Sequence, residues 1–202
     1  MAVAVLAVIL FQVGTPHRGR VPGWWVFPIL QVVLLVVLVA QDPGRIDSRT
    51  RGSQRLTIGL ITVMSIGTVG SVVVLTYDIV SGLPGIVATD LLGRGAAVWA
   101  TNVIVFSLWY WELDRGGPGE RAARSGVPPS FAFPENATPE LVPEGWVPTY
   151  PDYLYLAFTN STAFSPTDTL PVQTWAKMTM MLQSVISLVV AILVVARAIN
   201  LL

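Results

Sequence analysis

The sequence predicts an all-α membrane protein of about five hydrophobic helices, with a re-entrant segment before the last one. Three observations carry that prediction. The first is composition: of 202 residues, 53% are hydrophobic and only 12% charged, whereas a soluble domain carries about 25% charged residues. Mean hydropathy is correspondingly positive, at +0.65. The second is a series of apolar runs that approach or reach the roughly 17–25 residues a spanning helix needs. The third is the order of the last fifty or so residues. A short amphipathic stretch from Tyr150 leads into hydroxyl-rich backbone broken by Pro166 and Pro171, and an apolar helix from about Trp175 to Ile199 follows. Irregular backbone at membrane depth is tolerated only where it lines water or is buried in protein, so this order predicts a pore or a buried plug.

Several function classes are disfavoured. Twelve basic residues balance twelve acidic ones, which argues against a nucleic-acid partner. The absence of cysteine removes disulfides and thiolate metal sites. The single His17 sits in a Gly/Pro/Arg loop and reads as a solvated residue, since metal sites need several convergent ligands. There is no phosphate-binding glycine loop, histidine cluster or nucleophile–base pair, so no catalytic residue, metal or cofactor is expected. No apolar helix carries Arg at every third position, so no voltage sensor is expected.

Taken in order, Met1–Val13 is apolar but thin, and lacks the basic start and cleavage site of a signal peptide. It reads as a short or N-terminally truncated first helix. Trp24–Ala40 is a second helix, with Trp24 and Trp25 as interfacial anchors and Pro28 near its first turn, where proline is cheaper. A polar loop, Gln41–Arg55, carries Arg45, Arg49, Arg51 and Arg55. Leu56–Val80 is a third helix, whose Gly59, Ser65, Gly67 and Gly70 permit close packing. Ser81–Gly95 reads as a connector and Ala96–Trp111 as a fourth helix, ending in the aromatic belt Trp109-Tyr-Trp111. Inside it, Asn102 is expected to bond a neighbouring helix; beyond it, Glu112, Asp114 and Arg115 are expected to staple the helix end to the segment from Tyr150. Residues 116–149 are rich in Pro and Gly without apolar periodicity, and read as a hood pinned by Phe131, Phe133 and Trp146. The chain thus divides into N-terminal helices (1–115), a Pro/Gly-rich loop (116–149) and a C-terminal unit (150–202).

That C-terminal unit resembles the two-helix pore-loop module of potassium channels. Family members read roughly F-T-T-L-T-T-V-G-Y-G-D-x-x-P, and here stands Phe158-Thr-Asn-Ser-Thr-Ala-Phe-Ser-Pro-Thr-Asp168-Thr-Leu-Pro171. Ala176-Lys177 falls where the family often has Ala-Arg, Leu182-Gln183 on Leu-Glu, Ser187 on the inner-helix hinge glycine, and Val194-Val-Ala-Arg197 on a common ending. The chain also resembles a group of uncharacterised bacterial membrane proteins of actinobacterial type, which brings no known activity. The Gly-Tyr-Gly of the filter is replaced by Ser165-Pro166-Thr167. Potassium filters use backbone carbonyls to replace the ion's water shell, and glycine permits the positive φ that aims them. Pro166 fixes φ near −65°, so a potassium filter of the usual kind is not expected.

What remains is a run of side-chain oxygens on Thr159, Asn160, Ser161, Thr162, Ser165, Thr167, Asp168 and Thr169, beside Pro166. On the last helix, Thr179, Gln183 and Ser187 recur every four residues and share one face. These are the candidates for lining a pore or, alternatively, for satisfying one another in a closed seam. By resemblance the expected function is a channel-like protein, non-selective or weakly selective for monovalent cations, tetrameric if it forms a pore, in a bacterial inner membrane. The alternative is a non-conducting scaffold or accessory subunit that keeps the fold. The resemblance puts the pore-loop face outside, whereas the positive-inside rule would put that arginine-rich face in the cytoplasm. The rule weakens in long loops, so the resemblance is preferred.

Overall fold

The computed structural model describes residues 2–14, 25–41, 51–81, 87–123, 126–163 and 168–200. Of the sequence-derived assignments, those on His17, Trp24, Arg45, Arg49, Ser165, Pro166 and Thr167 lie outside the described residues. Seven α-helices run in order among them: α1 (Ala2–Gly14), α2 (Val26–Gln41), α3 (Arg51–Val80), α4 (Ala88–Leu113), α5 (Pro118–Ala122), α6 (Tyr150–Ala163) and α7 (Thr174–Ile199). Two short strands, β1 (Phe131–Ala132) and β2 (Leu170–Pro171), pair antiparallel.

Among the described residues, three stretches are long and apolar enough to cross a membrane: Gln54–Val80, Ala88–Gly116 and Thr174–Ile199. α1 and α2, with 13 and 16 residues, extend about 20 and 24 Å at 1.5 Å per residue, short of the ~30 Å hydrocarbon core. The outward faces agree with this setting. Met181, Val185, Leu188, Ile192 and Val195 on α7 are each more than 40% exposed, as are Val69, Val73, Tyr77 and Val80 on α3. Their spacing places each set on one face of its helix, and apolar faces of this extent suit hydrocarbon better than water.

α4 is the organising element. Among the described residues there are three buried apolar clusters, and α4 contributes to each. Val105 and Leu108 join α1, α2 and α3; Leu91 and Val98 join Leu75 of α3 and Val190 and Val194 of α7; Val103, Phe106, Tyr110 and Trp111 join the hood, α6 and the start of α7. α3 and α7 both run antiparallel to it. Trp109 of α4 meets Ser65 of α3 and Arg94 meets Asp78, while Tyr110 meets Gln183 of α7 and Asn102 meets Ser187.

Two helix starts differ from expectation, and both extend farther. α3 begins at Arg51 rather than Leu56, and its first turns have a tertiary role: the Gln54 side chain donates to the carbonyl of Gly116 at 3.1 Å. α4 begins at Ala88 rather than Ala96, so half of the expected connector is helical. Leu91, Gly95 and Val98 all turn inward there, and Arg94 reaches Asp78 at 3.5 Å. Gly93 and Gly95 suggest a break in the sequence, but Gly95 is required by packing. A Cβ at that position would lie 2.7 Å from the methyl groups of Val194, so the absent side chain lets α4 and α7 close together. Gly59 and Gly70, expected to serve the same end in α3, have nothing within 4 Å, and Gly67 faces the Gln12 side chain.

The end of α4 is a sharp turn: Arg115, Gly116 and Gly117 have φ of 51°, 77° and 102°, a left-handed run that glycine tolerates and arginine rarely adopts. It redirects the chain into α5 and the hood, which is more structured than its composition suggests. β1 within it pairs Phe131 with Pro171 and Ala132 with Leu170, and Val172 donates to the Ser130 carbonyl at 2.8 Å. The hood is thereby tied to the segment leading into α7.

Candidate functional site

The candidate residues meet where α4, α6 and α7 converge. α6 is amphipathic in a particular sense: Tyr153, Leu156, Ala157, Asn160 and Ser161 are buried, while Tyr155, Phe158 and Thr162 are exposed. Its first turn lies beside the end of α4, with Tyr150 bonded to Ser107 at 2.9 Å and its ring 5.9 Å from that of Trp111. Its later turns lie beside the middle of α4, where Phe158 meets Trp99 edge-on at 5.7 Å.

Gln183, fully buried on α7, is the centre of the polar contacts. Its Oε1 accepts from the Tyr110 hydroxyl at 2.6 Å and from Asn160 Nδ2 at 2.8 Å. Its Nε2 donates to the Ala157 carbonyl at 2.9 Å and to Ser161 Oγ at 2.8 Å. Asn160 also donates to the Met180 carbonyl at 3.0 Å, and Ser184 Oγ donates to the Asn160 carbonyl at 3.2 Å. One turn further along, Asn102 Nδ2 donates to Ser187 Oγ at 2.9 Å. Asn102 therefore bonds a neighbouring helix, as its position inside an apolar helix suggests.

Gln183 and Ser187, expected either to line a passage or to close a seam, take part in a seam within this chain. They are 0% and 1% exposed and face α4 and α6 of the same chain, so within the chain they touch no open space. Thr179 returns its hydroxyl to its own helix, at the carbonyls of Trp175 and Ala176. Asn160 and Ser161 belong to the buried seam as well. Among the described candidates, Thr162 and Asp168 are exposed and Thr159 is half-buried; the hydroxyls of Thr159 and Thr162 bond carbonyls one turn back. Sequence reasoning missed Tyr110, read only as part of an aromatic belt; its position four residues from Phe106 and eight from Asn102, on the inward face, is the signal that could have found it.

A second polar group closes the top of the site. Asp114, fully buried, accepts from the Tyr153 hydroxyl and from the Ser130 backbone amide, both at 2.6 Å. Arg115 stands 3.7 Å from the same carboxylate. Arg121 donates to the carbonyls of Trp111 and Asp114 at 2.6 and 2.7 Å, and its guanidinium lies over the Tyr153 ring at 5.0 Å. Burial pushes the Arg121 guanidinium down from its ordinary value, and the neighbouring Tyr153, Asp114 and Glu112 pull it back. Asp114 thus fastens the end of α4 to α6 and to the hood. The aromatic rings of the hood complete the cover: Phe131 packs edge-on against Tyr110 and Trp175 at 5.2 and 5.8 Å, and Phe133 against Tyr153 and Trp146 at 5.3 and 6.1 Å.

Comparison of the chain with protein-family models, with curated proteins and with solved structures finds no match. Among the described residues, no group of three or more His, Cys, Asp or Glu side chains is placed to hold a metal ion.

Proposed function

We propose that this protein is a channel-like, multi-pass protein of a bacterial inner membrane, in which α6 and the residues after it form a re-entrant pore loop. Several copies of the chain surround a path that is non-selective or weakly selective for monovalent cations. The observation that supports this reading is the course of the chain around α6. Tyr150 is level with Ser107 and Trp111, Phe158 with Trp99, and Leu170 is back beside Ala132 of the hood. A helix that descends beside half of a long apolar partner, followed by a return to the starting level, has the form of a half-span. Irregular backbone of this kind is expected where it lines water or is covered by protein. The groups available to a path are then Thr159, Thr162 and Asp168, together with Ser165 and Thr167, and not Gln183 or Ser187.

One observation favours the rival reading, a non-conducting scaffold or accessory subunit. The amides of Asn160 and Gln183 and the hydroxyl of Ser187 are satisfied within one chain, so the seam works as structural glue without any second copy. Purified protein in liposomes, assayed for cation flux at low and high salt, separates the two. On the channel reading, the exposed Asp168 concentrates cations within about a Debye length, ~8 Å at physiological salt. Asp168→Asn then lowers cation over anion permeability most at low salt and leaves stability unchanged. Absence of flux from the parent protein under both conditions overturns the channel reading and leaves the scaffold.

A further inference from the structure

At the turn that ends α4 lies a cavity of about 320 Å³, whose wall includes Arg115, Glu120, Arg121, Val127, Trp146 and Val147; it falls within the ~300–1,000 Å³ typical of ligand pockets. The apolar stretch of α4 ends at Gly116, so the cavity opens where that stretch gives way to the hood. Two guanidinium groups on its wall are only partly used by the chain. Arg121 is 5% exposed, yet its two hydrogen bonds, to the carbonyls of Trp111 and Asp114, both leave from Nη1. Among the described residues its Nε and Nη2 have no hydrogen-bond partner. A buried charged group is ordinarily paired and hydrogen-bonded in full.

Arg115 approaches Asp114 through Nε alone, at 3.7 Å, and that carboxylate already accepts from Tyr153 and Ser130 at 2.6 Å. The Nη1 and Nη2 edge of Arg115 has no partner among the described residues. Its backbone holds φ at 51°, a conformation that glycine takes freely and arginine rarely, so the turn itself does not call for arginine there. Glu120, the carboxylate on the wall, is exposed and engaged, but with neither guanidinium. Burial pushes the Arg121 guanidinium down, Arg115 adds to the effect, and Tyr153, Asp114 and Glu112 do not fully offset it. The donors define what fits. One planar fork takes both oxygens of a carboxylate, whereas two forks match the three free oxygens of a phosphate monoester.

We propose that this cavity binds one organic phosphate, its oxygens on Arg121 and Arg115 and its carbon skeleton against Val127, Trp146 and Val147. The assignment is independent of whether ions cross the protein. Isothermal titration of the detergent-purified full chain with glycerol 3-phosphate, against chloride at matched ionic strength, tests it. The parent is expected to bind one glycerol 3-phosphate, with no matching signal from chloride. Arg115→Gly relieves the left-handed backbone and removes one fork, so binding is expected to weaken about tenfold or more with the unfolding midpoint unchanged or raised. Val127→Glu, at an exposed wall position, is expected to abolish binding by like-charge repulsion. Native mass spectrometry with phosphatidic acid separates the sources. A retained lipid that glycerol 3-phosphate displaces identifies a lipid headgroup, and no retention identifies a free phosphate ester. No binding of either probe by the parent, equal binding by a folded Arg115→Gly, or unchanged binding by Val127→Glu would each overturn the proposal; the last applies even where Arg115→Gly does not fold.

Discussion

Gln183 is where a single side chain matters most. Four hydrogen bonds converge on its amide from α4 and α6, and each partner is buried. Gln183→Leu keeps the volume but strands the Tyr110 hydroxyl, the Ser161 hydroxyl and one Asn160 donor. A buried polar group left unsatisfied costs about 1–3 kcal/mol, and shared relaxation keeps the total below the sum, so a loss of roughly 3 kcal/mol is expected. Thermal unfolding in detergent, followed by circular dichroism, measures it, and the loss should appear in the monomer. An unchanged midpoint would mean that the seam is not structural. Asp114 is the matching residue at the other end of the site. Asp114→Ala removes the acceptor of the Tyr153 hydroxyl and the Ser130 amide and strips the buried Arg121 of a nearby countercharge. The hood should loosen first, seen as faster proteolytic cleavage within residues 126–149 while α3, α4 and α7 remain protected.

At the scale of elements, the contact between α4 and α7 is set by one missing side chain. With Val194 at 2.7 Å from an added Cβ, Gly95→Ala cannot be accommodated without a shift of one helix, although alanine is the better helix former. Overpacking of this sort costs about 1–3 kcal/mol, which exceeds the ~1 kcal/mol propensity gain. The double change Gly95→Ala with Val194→Ala should recover much of the loss, because contacting residues couple. Chemical or thermal unfolding of the two single variants and the double variant checks this; strict additivity would contradict it. The same comparison separates the glycines of α3 from that of α4: Gly59→Ala and Gly70→Ala meet open space and should be neutral or slightly stabilising. In the hood, Phe131 is the pin, fully buried between Tyr110, Tyr153 and Trp175.

For the whole molecule, the arrangement around α4 sets which parts share a side of the membrane. The hood and the start of α6 gather at the C-terminal end of α4, and Val87 precedes its N-terminal end. If α4 spans, exposed Ala123 and exposed Val87 are on opposite sides. In this cysteine-free chain, Ala123→Cys and Val87→Cys should react with an impermeant thiol reagent from opposite faces of sealed vesicles. Ser130 is unsuitable for such labelling, since it is only 2% exposed. Modification of both from one face would refute a spanning α4.

What the sequence determined by itself is the apolar character of the chain, the existence of its long helices and the order of the C-terminal unit. Each depends on local quantities: composition, the length of an apolar run, and where proline interrupts it. The inward partner of Asn102 was legible too, because an amide in an apolar helix has few alternatives to a neighbouring helix. Tertiary structure decided the rest. The fourfold spacing of Thr179, Gln183 and Ser187 shows that they share a face, but periodicity cannot say whether that face meets water, lipid or another helix of the same chain. The start of α4 was hidden for a related reason. A glycine read locally is a break, and Gly95 becomes part of a helix only because Val194, ninety-nine residues later, occupies the space its side chain would have taken.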